Sequence, residues 1–109
     1  MFYRLRKQNG ETDSHSAGKW IMSNGKTQTL AANDVVMKPL RYWISSSGRR
    51  YPVSWQLNIP VLQKQLLVEA LIDDQEMATG IYYWEGAVKV SSATTNNLLG
   101  YGYLEMTGY

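Results

Sequence analysis

Glycine-bearing turns cut this chain at short intervals. Asn9-Gly10, Asn24-Gly25, Ser47-Gly48 and Gly80 interrupt it, and no long stretch between them sustains a 3.6-residue apolar period. That spacing suits hairpins and leaves little room for packed helices. Tyr51, Val53, Trp55, Leu57 and Ile59 alternate with Pro52, Ser54, Gln56 and Asn58, which predicts a strand with one apolar and one wet face. Pro52 and Pro60 lack the N–H that a ladder needs, so this strand is expected near a sheet edge or limited in pairing at its ends. Residues 19–23 and 26–30 flank Asn24-Gly25, predicting a two-residue hairpin, because Asn-Gly supplies the positive φ angles of a type I′ turn. Residues 64–73 read as a further strand closed by the polar turn Asp73-Asp74-Gln75-Glu76. A short helix is the alternative there, since Leu66, Leu67, Ala70 and Leu71 also fit a helical period.

The last third carries the most information. Residues 81–90 and 98–107 predict two antiparallel strands joined by the polar loop 91–97. With Val90 near Leu98, Glu85 lies opposite Tyr103 and Tyr83 opposite Glu105. On the other face Trp84 meets Leu104, Tyr82 meets Met106, and Gly86 meets Gly102. One face is hydrophobic and the other is a lattice of tyrosines and carboxylates. Paired glycines would let the sheet bend sharply, so Gly102→Val is expected to be strongly destabilising.

At 109 residues the chain is large enough for one core and not for two. Eleven Lys and Arg against nine Asp and Glu leave +2, far from the basic stripe of a nucleic-acid-binding domain. The charges are sorted: residues 1–50 hold nine basic and three acidic groups, residues 51–109 two and six. A fold that apposes the two halves would neutralise them internally. Charged residues are 18% and apolar residues 44%, the opposite of a disordered composition. The longest aliphatic run is Leu66-Leu67-Val68, too short for a membrane span. Cysteine is absent, which removes disulfides, thiol chemistry and zinc ribbons. The N-terminus lacks the apolar core and small-residue cleavage site of a signal peptide. Four Trp and eight Tyr stand against one Phe, so nearly every ring carries a polar handle suited to half-wet cavities and interfaces.

The catalytic inventory is thin. His15 is the only histidine and sits in a Ser-rich loop, where a solvated side chain is the ordinary reading. The turn at residues 73–76 is rich in carboxylates but lacks the alternating ligands and turn glycine of a calcium loop, so a solvated turn is expected and no metal or cofactor is assigned. Glu85 and Glu105 are the acid/base candidates, being mid-strand carboxylates among aromatic residues whose burial would raise their pKa. The alternative is structural hydrogen bonding to tyrosines, or pairing with Arg4, Arg6, Arg41, Arg49 or Arg50. Trp55, Tyr83, Trp84, Tyr101 and Tyr103 are candidates to line an apolar ligand pocket, with core packing the alternative for each.

The tail Tyr83-Trp84-Glu85-Gly86-Ala87-Val88 and the segment from Gly100-Tyr101-Gly102-Tyr103 to Met106-Thr107-Gly108-Tyr109 resemble the C-terminal signature of the AttH-like secreted hydrolases, related to carotenoid 1,2-hydratase and kievitone hydratase. Tyr3-Arg4-Leu5-Arg6, the stretch from Ser47-Gly48 through Tyr51-Pro52 to Trp55, and Asp74-Gln75-Glu76 resemble further segments of that family. The resemblance spans essentially the whole chain. It implies an all-β antiparallel fold, a lipocalin- or streptavidin-like barrel or half-barrel, with a β-sandwich as the alternative. It implies that residues 1–109 correspond to the C-terminal domain of a longer, two-domain, secreted or periplasmic protein. The partners implied are the N-terminal β-barrel domain of that protein and an apolar small molecule. A second copy of this chain, docked on the Tyr/Glu face, is expected when the N-terminal domain is absent. The activity implied is hydrolysis or hydration of a terpenoid or lipid, with this domain supplying pocket wall and interface and lacking turnover alone. A non-catalytic lipocalin-type binder and a carbohydrate-binding module are the rival readings. The family's glycine-rich turn has no counterpart at residues 91–97.

Overall fold

The computed structural model describes residues 1–109, and the chain divides into two compact units. The smaller comprises Met1–Val36 and Ile59–Gln63. Its three-stranded antiparallel sheet has the order β1 (Phe2–Tyr3), β2 (Ala17–Ile21), β3 (Thr27–Ala31). Gly18 is required where β1 crosses β2. A Cβ there would run into the Met1 carbonyl oxygen and lie 2.7 Å from the Phe2 Cα, closer than any side chain tolerates. Leu30, Val35 and Ser16 are buried, and the Ser16 hydroxyl accepts the Leu5 amide at 3.0 Å, leaving that buried polar group satisfied.

The Asn24-Gly25 hairpin forms where the sequence places it, but with a three-residue loop. Gly25 alone takes positive φ, at 82°. Its amide bonds the Met22 carbonyl, and the Met22 amide bonds the Lys26 carbonyl, the pattern of a type I turn closed by a left-handed residue. Asn24 stays out of the left-handed region and accepts the Lys26 amide on its side-chain oxygen at 3.0 Å. That local bond favours the longer loop over type I′. Gly10 and Gly48 close identical loops across Lys7–Glu11 and Ser45–Arg49.

The larger unit comprises Met37–Asn58 and Lys64–Tyr109. Its strands are β4 (Val36–Ile44), β5 (Arg50–Ile59), β6 (Lys64–Ala70), β7 (Glu76–Ala78), β8 (Tyr82–Ser92) and β9 (Leu98–Thr107). The sheet order is β4-β5-β6-β8-β7, with β9 on β8. The fold is therefore all-β and antiparallel, not closed into a barrel, in keeping with a half-barrel or β-sandwich. Residues 64–70 are strand and not helix. The core is Tyr51, Val53, Trp55, Trp84, Val88 and Met106, drawn from one face of β5, β8 and β9.

Two expectations need correction here. β5 lies one strand in from the β4 edge and ends just before Pro60, in keeping with its prolines. The wet face expected of it is not found: Tyr51, Pro52, Val53, Ser54 and Trp55 are all buried. Alternation in the sequence reports side-chain polarity only, and residues as small as Pro52 and Ser54 are easily covered on the outer face. Pro60 lies outside the ladder, in the 3-10 turn Pro60–Leu62.

The β8–β9 register is also displaced. Trp84 pairs with Met106, Glu85 with Glu105, Gly86 with Leu104 and Val88 with Gly102. The connecting loop is tighter than a simple count suggests, because Ser91 already pairs with Leu98, and a bulge before Val90–Gly100 adds one more residue. Asn96, at φ 60°, supplies the left-handed turn in place of glycine, and the Ser92 hydroxyl accepts the Thr94 and Thr95 amides. Two one-residue slips restore the original parity, so each side chain keeps its predicted face. The glycines do not keep their pairing. A Cβ at Gly102 would have only the Val88 Cγ2 nearby, at an ordinary 3.5 Å, whereas a Cβ at Gly86 would fall on the Gln75 side-chain amide.

Candidate functional site

β6 and β7 both run antiparallel to β8, on the edge opposite β9. They amount to one strand interrupted by the turn 71–75. Ala70 pairs with Val88 and Glu76 with Trp84, so residues 71–75 bulge out opposite 85–87. The Gln75 side chain folds into the space over Gly86, and its Nε2 donates to the Ile72 carbonyl at 2.6 Å. The turn is anchored from three directions. Trp84 Nε1 donates to the Asp73 carbonyl at 2.7 Å. Arg41 of β4 holds the Asp73 carboxylate with two nitrogens, at 2.5 and 2.8 Å. Glu76 Oε1 accepts hydroxyls from Ser47 at 2.7 Å, Tyr51 at 2.9 Å and Ser45 at 3.0 Å.

This network overturns the reading of residues 73–76 as a solvated turn. Only Asp74 of the four is exposed. Partners of Asp73 and Glu76 come from β4, β5 and their connecting loop, too distant in sequence for local reading to find. The one available signal was the recurrence of both segments, Ser47–Trp55 and Asp74–Glu76, in the family resemblance; the fold brings the two together at Glu76. Trp43 stacks on Tyr51 with centroids 6.3 Å apart, and Tyr109 lies 6.1 Å away on a tilted ring.

The electrostatics follow from these contacts. Burial alone would raise the Glu76 carboxyl, but the Ser47, Tyr51 and Ser45 hydroxyls and the charge of Arg49 bring it below its usual value. The Arg41 hydrogen bonds hold Asp73 low. Burial, then the bond to Glu76, pushes the Tyr51 phenol up to about 12. The folded carboxyls lie below their unfolded values of 4.5 and 3.8, so their stabilisation is complete above that range and is lost as pH falls through the folded values. Tyr51 stabilises the fold below its ordinary 10.0 and loses that contribution as pH rises towards about 12. Thermal melts across pH should therefore show a plateau with two falling limbs. Glu76→Gln is expected to flatten part of the acid limb and Tyr51→Phe part of the alkaline one.

The residues singled out from sequence fall into two groups on opposite faces. Trp55 and Trp84 are buried in the core. Trp84 Nε1 is used on Asp73, but Trp55 Nε1 is buried and has no hydrogen-bond partner. Tyr83, Glu85, Tyr101, Tyr103 and Glu105 share the outer face of β8 and β9. Here Glu85 faces Glu105 and not Tyr103, and the Tyr83 hydroxyl approaches Glu85 Oε1 at 3.5 Å. Partial burial, then Glu85 and Tyr83 nearby, raise the Tyr103 phenol. Lys89 on the same face pairs with Glu69 at 3.1 Å. His15 is exposed and bonds Asp13 at 2.7 Å. No group of three or more His, Cys, Asp or Glu side chains is arranged to hold a metal ion, and no helix is long and apolar enough to cross a membrane.

An open antiparallel sheet unit with an aromatic core, pinned by a half-buried carboxylate, defines a small all-β domain of the half-barrel or sandwich class. Its family is specific. The AttH-like family matches residues 1–109 in full, and the chain belongs to it. A crystal structure from Nitrosomonas europaea assigned to AttH superposes with a TM-score of 0.86 at 27% identity over 97% of this chain. The chain spans 33% of the length of that protein. No curated protein sequence matches it.

Proposed function

We propose that this chain is the C-terminal, lipocalin-like part of a two-domain exported hydrolase or hydratase, and that its aromatic interior forms one wall of the site for an apolar terpenoid or lipid. The observation that carries the reading is Trp55. Its indole is 4% exposed and its N–H has no acceptor, and a buried donor left unpaired costs free energy that a ligand oxygen would recover. The surrounding Tyr51, Val53, Trp84, Val88 and Met106 match an apolar molecule bearing one acceptor. In the hydration reaction an acid protonates a carbon–carbon double bond, water attacks the carbocation and returns a proton to the base. Ring faces stabilise such a cation. Glu85 and Glu105 lie on the opposite face of the sheet from these rings, so in this reading the adjoining domain supplies most of the acid chemistry and the two carboxylates face that domain.

The test is a fluorescence titration with retinol, an apolar terpenoid with one hydroxyl. Binding in the micromolar range is expected, weakened about fivefold in Trp55→Phe, the equivalent of one neutral hydrogen bond. Failure of the wild-type chain to bind, or equal affinity in the variant, would remove the support that Trp55 gives.

A further inference from the structure

We propose that the free edge of β9 between Gly100 and Met106 is a strand-pairing surface, taking the same segment of a second copy of this chain antiparallel about a two-fold axis near Tyr103. The inference stands apart from ligand binding and concerns the opposite side of the β9 backbone from β8.

β9 pairs with β8 alone, so a row of its amides and carbonyls faces outward, and such a row is a template for another strand. The two edges of this sheet are treated differently by the sequence. β4, at the far edge, carries Lys38, Pro39 and Arg41, the residue types that discourage strand addition. β9 has no proline and no basic residue, and Glu105 is its single charge. Its bulge lies at its start, beside Ser91 and Val90, and from Gly100 to Thr107 the register with β8 is regular. Tyr101 and Tyr103 are 70% and 68% exposed, with Leu98 and Leu99 exposed beside them.

A second copy is the occupant that the side chains of this segment fit. Antiparallel pairing centred on Tyr103 sets Tyr101 opposite Glu105 of the copy and Gly102 opposite Leu104 of the copy. Glu105 faces Glu85 within its own chain, a like-charged cross-strand pair that is unfavourable by itself. Glu85 has the Tyr83 hydroxyl near it, whereas no donor in the chain bonds Glu105. The Tyr101 hydroxyl of the second copy supplies one, twice over by symmetry. Gly102 is exposed with nothing but Val88 Cγ2 near it, which leaves space for the copy's Leu104.

Sedimentation equilibrium of the 109-residue chain up to about 200 µM decides the matter. A reversible dimer is expected. Tyr101→Glu sets two carboxylates against each other at both symmetric contacts and should weaken the dimer about tenfold or more. Adding Glu105→Lys to that variant converts each contact to an opposite-charge pair and should restore association. Both positions are exposed, and a cooperative thermal melt at a concentration too low for dimer formation confirms that each variant is folded. A wild-type monomer throughout the range, a dimer insensitive to Tyr101→Glu, or a folded double variant that stays dissociated would each overturn the proposal.

Discussion

Trp84→Ala is expected to cost about 3–5 kcal/mol, the range for deleting a fully buried aromatic side chain. That is a large share of the roughly 5–15 kcal/mol that holds a small domain together. Trp84 has no solvent exposure. It packs in one cluster with Tyr51, Val53, Trp55, Val88 and Met106, and its indole N–H holds the Asp73 carbonyl. Removing it empties the centre of the core and takes away one of the three anchors of the turn that carries Asp73, Gln75 and Glu76. Trp84→Phe separates the two effects: most packing survives and the Asp73 carbonyl loses its donor, for about 1–3 kcal/mol. Urea melts of the two variants measure both. A midpoint unchanged by Trp84→Phe would mean that water replaces the indole on Asp73.

The second large effect belongs to Gly86 and not to Gly102. A side chain at Gly86 enters the space of the Gln75 amide. Gly86→Val would evict that amide, break its bond to the Ile72 carbonyl, and overpack the bulge, for about 1–3 kcal/mol. Gly102→Val meets only the Val88 side chain at contact distance and is expected to be tolerated on an exposed edge strand. Thermal melts of the pair check the register directly, since pairing of Gly86 with Gly102 would make the two substitutions equally harmful. Gln75→Ala in the Gly86→Val background should recover part of the loss by vacating the space.

Hairpins, strands and the faces of β8 and β9 were legible from the chain because they depend on local quantities: turn residues, period-two alternation, and the parity of a strand. Parity explains why Trp84 and Met106 sit inwards although the predicted partners were two residues out. The register itself rests on one bulge, beside Gly100 at φ 157°, and one left-handed asparagine; a glycine among several others and an asparagine in a polar loop do not by themselves announce a two-residue slip. Candidate site residues fared similarly. Tyr83, Glu85, Tyr101, Tyr103 and Glu105 do share a face, as alternation requires. Glu76, the carboxylate with the most hydrogen-bond donors, was invisible as such, because its donors lie 25 to 31 residues away along the chain.

What the sequence determined by itself is therefore the all-β class, the polar-handled aromatic content and membership of one family. Each of these is carried by residue type and spacing along the chain. Only the tertiary structure decided that β5 is covered on both faces, that the 71–75 turn is an anchored bulge over Gly86, that Trp55 is left with an unpaired donor, and that one edge of the sheet is unguarded. Burial and pairing are properties of neighbours, and neighbours brought together from opposite ends of a chain leave no mark in the residues between them.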